Sequence, residues 1–252
     1  MARWPSGLGL ASYEVGTVGV MSDYGAAFQT DNRDPSLRAA ERIVPLLTAA
    51  ASPTSVVDVG CGLGMWLSVF AERGVEVFGV DGEYVPRGQL LIAPDRFAAV
   101  DLAEPLHLGR RFDLALSVEV AEHLPETAAA RFVGELVALA PVVAFSAAIP
   151  YQGGVGHENE RWPDYWADLF AVHGYTPHDI IRPAVWDDPD VMWWYAQNLV
   201  VYAEELEGVD AGWRMPARVV HPQCWVGRSR LVEPPGELLR ALGQRALRKV
   251  WR

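Results

Sequence analysis

The stretch VVDVGCGLGMW at residues 56–66 runs from a β-branched apolar segment into three closely spaced glycines. A β-branched run of this length reads as a buried strand. The glycines that follow read as a turn into a helix. Such turns hold several ligands, and spacing decides among them. A dinucleotide loop has the form G-x-G-x-x-G. Here Gly60 and Gly62 fit, but Met65 stands where the third glycine belongs and Gly64 comes one residue early. A triphosphate loop ends in Gly-Lys-Ser/Thr, which is absent. What remains is Asp58-x-Gly60-Cys61-Gly62-x-Gly64. Glycines adopt φ values closed to other residues and let a ligand approach the backbone. An ordinary strand–turn–helix corner is the alternative reading of the glycines alone.

Outward from this loop the chain alternates strand and helix. Residues 36–50 carry helical spacing, with Pro45 as a point of expected kinking. Strands are expected at 55–60, 75–81, 96–102, 112–120 and 141–150, and helices at 64–74 and 125–140. A further helix is expected near 163–173, a strand within 174–182, and a closing strand at 198–204. β-α-β alternation implies a parallel sheet covered by helices, and right-handed crossovers make it doubly wound. The expected fold class is therefore α/β. Ligands in such sheets bind beyond the carboxyl ends of the strands. The glycine loop, Asp81, Asp101 and Ser117–Glu119 all fall there, which points to one site.

The chain has 252 residues, half of them hydrophobic, enough for one large α/β domain or two small ones. Expected divisions are an N-terminal arm at 1–35, a main domain at 36–204 and an extension at 205–252 ending in a basic amphipathic helix. That helix reads as a solvated or packed terminus, or as a contact with a membrane or partner. The formal charge of −11 argues against a nucleic-acid partner. Two cysteines, Cys61 and Cys224, argue against a disulfide framework and fit a reducing cytoplasm. No stretch reads as a membrane span or a signal peptide.

The strand with its Asp-x-Gly-Cys-Gly-x-Gly loop resembles the first motif of class I S-adenosylmethionine-dependent methyltransferases. The resemblance covers about residues 36–204. It implies a seven-stranded, mostly parallel sheet with helices on both faces and an antiparallel last strand. It also implies that Asp58, Gly60, Cys61, Gly62 and Gly64 cradle the methionine end of S-adenosyl-L-methionine. Asp81, beside Gly82, then takes the ribose hydroxyls. Asp101 and Leu102 flank the adenine, and Ser117 ends the cofactor set.

The segment SVEVAEHLPE at 117–126 resembles a branch in which Glu-x-x-Glu-His binds a divalent ion. The implied ligands are Glu119, Glu122, His123 and His157, suited to Mg, Mn or Zn. Their spacing puts the first three on one face if the segment is helical. The same run also occurs in metal-free relatives, where His123 lines the pocket and the glutamates cap the next helix. His157 is alternatively a general base or a surface loop residue, with Glu158 and His123 as further candidates. Trp162, Tyr165, Trp166, Trp186, Trp193, Trp194 and Tyr195 wall a pocket or belong to the core.

The implied activity is methyl transfer to a small molecule, foremost to a sugar or natural-product hydroxyl, then to a phenol, an amine or a carbon. Other readings are a metal-dependent RNA 2′-O-methyltransferase, a nicotinamide-dependent oxidoreductase and a cofactor-binding partner subunit.

Overall fold

A computed structural model describes residues 33–206 and 218–229. Of the arm expected at 1–35, residues 1–32 lie outside the described residues and 33–35 already belong to a helix; the expected terminal helix beyond residue 236 also lies outside them.

Helix α1 (Arg33–Ala51) passes through Pro45 and leads to β1 (Ser55–Val59). The glycine loop then opens α2 (Met65–Ala71), and β2 (Glu76–Asp81) and β3 (Phe97–Ala99) follow. After β4 (Leu114–Val118) come a 3₁₀ turn (Ala121–His123), a second (Glu126–Ala128), α3 (Ala129–Leu139) and β5 (Val142–Ser146). The chain continues through α4 (Pro163–Ala171), β6 (Thr176–His178), α5 (Arg182–Val185), α6 (Trp193–Asn198) and β7 (Val200–Ala203). The helix α7 (Pro222–Ser229) falls in a Gly- and Pro-rich tract that carries no helical signal in the sequence.

The seven strands form one sheet in the order β3-β2-β1-β4-β5-β7-β6. Pairings among β1 to β5 are parallel, and β7 runs antiparallel to both β5 and β6. This is the doubly wound, mostly parallel arrangement expected from the alternation. The strand order reverses between β1 and β4, which opens a crevice beyond their carboxyl ends.

Strand composition follows from burial on both faces. Val56, Leu114, Leu116, Ala144 and Val201 turn to one face, where they meet Ile43, Leu47, Leu67 and Phe70 of α1 and α2. Their alternating neighbours Val57, Ala115, Val143, Phe145 and Tyr202 meet Phe132, Leu136, Trp166 and Phe170 of α3 and α4 on the other. There Phe170 stacks on Tyr202 with ring centroids 4.0 Å apart. Gly79 in β2 is a packing residue: a methyl there would lie 2.7 Å from Cys61 Sγ and 3.1 Å from Leu67. No helix among the described residues is long and apolar enough to cross a membrane.

Phe170 is fully buried between sheet and helix. Replacing it with alanine leaves a ring-sized cavity and is expected to cost about 3–5 kcal/mol, read as a lowered denaturant midpoint with an unchanged slope.

Candidate active site

The glycine loop takes the backbone conformations that its residues alone permit. Gly60, Gly62 and Gly64 have φ of +91°, +53° and +79°. Gly64 sits at the N-terminal boundary of α2 in the left-handed region. The amides of Gly60 and Cys61 donate to Val80 O at 2.7 and 3.2 Å, which ties the loop to the end of β2. At Gly60 the missing side chain admits Val120, which would lie 2.3 Å from a Cβ there. Close approach at that glycine thus serves a neighbouring side chain. Cys61 points into the core against Gly79, so its thiol does not face the crevice; only its backbone belongs to the loop.

Asp81 closes the loop from β2. Its Oδ2 accepts the Gly62 amide at 2.6 Å, and its Oδ1 accepts the Gly82 amide at 2.6 Å and the hydroxyl of Tyr84. Burial raises its pKa, while these three donors pull it back. Asp58 is equally enclosed. Burial, and then the charge of Asp81, push its pKa up to about 7. Asp101 is exposed beyond β3, where its Oδ1 accepts the Ala103 amide at 2.9 Å; Leu102 beside it is half-buried. Val100 N donates to Asp81 O at 2.8 Å and brings this turn beside the loop. Ser117 is wholly enclosed in β4, so its side chain is not on the crevice surface.

The acid–histidine run is not a helix. Glu119 has φ +56°, in the left-handed region, and the 3₁₀ turn begins only at Ala121. Backbone in that region is sparsely populated by residues other than glycine and tends to mark functional sites. Past the bend, Glu119 still brings its carboxyl group against that of Glu122. Its carboxylate accepts Asn198 Nδ2 at 3.1 and 3.3 Å and Gln152 Nε2 at 3.0 Å. Glu119 is therefore engaged by amides and does not join the metal-ligating cluster that the spacing suggested.

Glu122, His123 and His157 do come together. Their ligand atoms lie within 4.8 Å of one another. Glu122 is 1% exposed, and neither carboxylate oxygen has a hydrogen-bond partner among the described residues. Burial, and then the charge of Glu119, push its pKa well above the carboxylate range. An unpaired buried carboxylate is costly and calls for a proton or a cation. Burial and the neighbouring His157 lower the His123 pKa to about 4, which leaves its ring neutral. His123 donates through Nδ1 to Gly156 O at 3.3 Å, and His157 through Nδ1 to Glu160 Oε1 at 3.0 Å.

His157 borders an open hollow of about 530 Å³, lined also by Pro150, Tyr151, Gly154, Glu158 and Arg161. The Glu158 side chain is exposed, and its backbone amide binds Glu122 O at 2.8 Å. The carboxylate that holds His157 is instead Glu160, which also accepts the amides of Tyr151 and Gly153 at 2.8 and 2.7 Å. Glu160 lies in a non-helical loop, where its three-residue offset from His157 carries no contact signal in the sequence. Among the aromatics, Trp166 and Tyr195 are core residues, whereas Tyr151 at the hollow is 86% exposed.

A buried amide network joins the hollow to the last described segment. Gln197 Nε2 donates to Gln152 Oε1 at 3.0 Å, and Gln197 Oε1 accepts the His221 amide at 2.8 Å. Arg228 donates to Gln152 O, and Arg218 pairs with Asp164.

Residues 30–178 match the family described as methyltransferase domain. The chain belongs to that family. Its fold is that of class I S-adenosylmethionine-dependent methyltransferases. Streptomyces venezuelae DesVI superposes with a TM-score of 0.56 at 15% identity, covering 77% of this chain and 100% of that one. The magnesium protoporphyrin IX methyltransferase ChlM of Synechocystis PCC 6803 with bound SAH gives 0.51 at 19% identity, covering 77% and 90%. In sequence, a ubiquinone biosynthesis O-methyltransferase of Rhodopseudomonas palustris (strain BisB18) is 30% identical over 145 residues, 53% of this chain and 50% of that protein. A probable chloroplastic tocopherol O-methyltransferase of Oryza sativa subsp. japonica is 32% identical over 128 residues, 46% of this chain and 35% of that protein. The chain thus spans half or less of the length of these two curated relatives.

Asp58 yields a pH test. Folding raises its pKa from 3.8 to about 7, so between those values the folded state binds the extra proton. Stability therefore falls as pH rises through that window. Asp58→Asn removes this contribution. Relative to the variant, the wild type is expected to lose on the order of a few kcal/mol between pH 4 and 8, measured by denaturant titration at each pH.

Proposed function

We propose that this chain is an S-adenosyl-L-methionine-dependent methyltransferase acting on a hydroxyl of a small molecule. The carrying observation is the pairing of a glycine loop closed onto Asp81 with the enclosed Glu122 carboxyl group beside His123 and His157. We assign the catalytic domain to residues 36–204, with 218–229 docked on it. Two O-methyltransferases among the relatives support an oxygen acceptor. A sugar or natural-product hydroxyl and a phenol are the acceptor classes we favour, and the acidic net charge disfavours RNA.

S-adenosyl-L-methionine supplies an electrophilic methyl group on a sulfonium. In this reading Gly62 and Gly64 leave room for its methionine end and Asp81 accepts from its ribose. Asp101 and Leu102 flank its adenine, and Asp58 lies below the loop. The protein's main contribution is alignment of acceptor, methyl and sulfur away from water. The donor set of one carboxylate and two imidazoles fits a divalent ion, held by Glu122, His123 and His157. Such an ion lowers the pKa of a bound hydroxyl. Glu119, held by Asn198 and Gln152, would shape the acceptor side without ligating it.

A second reading has its own observation. Glu160 on Nδ1 of His157 is the arrangement that orients a histidine as general base. A metal ligand and a base make different demands on the same ring, and a Mn²⁺ titration separates them.

Isothermal titration is expected to show binding of S-adenosylhomocysteine and none of NAD. Asp81→Asn should weaken that binding by about 10–100-fold, the value of hydrogen bonds to a charged acceptor. Mn²⁺ followed by paramagnetic resonance should bind the wild type and lose at least about tenfold in affinity in Glu122→Gln, since even outer partners of a metal are worth that much. Mn²⁺ binding unaffected by Glu122→Gln and His157→Ala would leave the general-base reading.

A further inference from the structure

The carboxylate of Asp81 offers about four acceptor positions. Three are occupied: by the amides of Gly62 and Gly82 and by the hydroxyl of Tyr84. The two amides are backbone and stay where the loop and strand hold them. A vicinal diol that donates both hydroxyls to this carboxylate needs two positions. The phenol must therefore leave.

Tyr84 is placed for that movement. Its side chain covers a carboxylate that is only 3% exposed, yet the residue itself is 54% exposed. The backbone beneath it is anchored: Val85 is 3% exposed, and its amide closes a turn onto Gly82 O at 3.2 Å. Release thus needs rotation of one side chain and no unfolding of the loop. Gly82 makes the covering position accessible. A Cβ at Gly82 would lie 2.2 Å from Tyr84 Cε1, and Gly82 has no left-handed φ to explain its identity.

We infer that Tyr84 is a built-in stand-in for the nucleoside sugar: its phenol occupies the ribose acceptor in the free protein and gives way when a ribose diol arrives. The residue sets cofactor affinity by competing for Asp81. This inference rests on the reading of Asp81 as ribose acceptor given above. A site that is only partly in its competent form binds with an affinity reduced by that fraction. Removing the hydroxyl removes the competitor and leaves the ring.

The test is isothermal titration of the full-length wild type and Tyr84→Phe with S-adenosylhomocysteine, with Asp81→Asn as a third protein. Tyr84→Phe is expected to bind about three- to tenfold more tightly than the wild type, as one net hydrogen bond allows. A crystal of the wild type with the ligand should show Tyr84 Oη beyond hydrogen-bond distance of Asp81. Equal affinities, or weaker binding by Tyr84→Phe, would overturn the inference while leaving Asp81 as ribose acceptor. Binding by none of the proteins would overturn both. Binding that survives Asp81→Asn unchanged would remove the acceptor itself and the inference with it.

Discussion

The carboxylate at the end of β2 holds the crevice in shape. Asp81 reaches across from its strand to the Gly62 amide and, with the Val80 carbonyl and the Leu91 amide on Leu63 O, fixes the glycine loop. Three consecutive positive-φ glycines within five residues are conformationally expensive, since glycine loses the most backbone freedom on ordering. An enclosed charge that accepts two amides offsets part of that cost. The same enclosure raises Asp81 and Asp58 together, because two carboxylates share a low-dielectric region. Shape and electrostatics at this end of the sheet therefore have one source.

The hollow beside His157 has a different construction. Its lining comes from the loop after β5, which is held from behind by the end of β4, α6 and the last described helix. Amide side chains bind them: Asn198 and Gln152 hold Glu119, and Gln197 holds His221. A fully satisfied buried polar network specifies one arrangement of its members. Here it holds the Glu119 carboxyl group beside the left-handed turn, with the Glu122 carboxyl group against it.

The sheet was readable because its central strands β1, β4, β5 and β7 are buried on both faces and so appear as apolar runs, and because helices connect many of them. The closing antiparallel strand followed from the family resemblance, and the structure agrees. The site was readable where it depends on contiguous backbone, as at Gly60–Gly64 and Asp81. It was unreadable where it depends on meetings between distant segments. Helical spacing placed Glu119 with Glu122 and His123, but no local rule announces a left-handed glutamate, which is set by Asn198 nearly eighty residues on. Cys61 sat inside the motif, yet its side-chain direction is decided by Gly79. Glu158 and Glu160 are equivalent in composition, and only the fold of the loop chooses Glu160. Helix α7 lacks a strong periodic pattern and is positioned by Arg228 and His221 meeting polar atoms of the domain.

Helix α7 and the segment before it reach Gln152 and Gln197, while the Asp81 end is assembled from residues 58–102 with Val120 packed on Gly60. The two ends of the crevice are therefore encoded in separable stretches of chain. Changes within residues 218–229 can therefore alter the packing around Gln152 and leave the bond between Gly62 and Asp81 untouched.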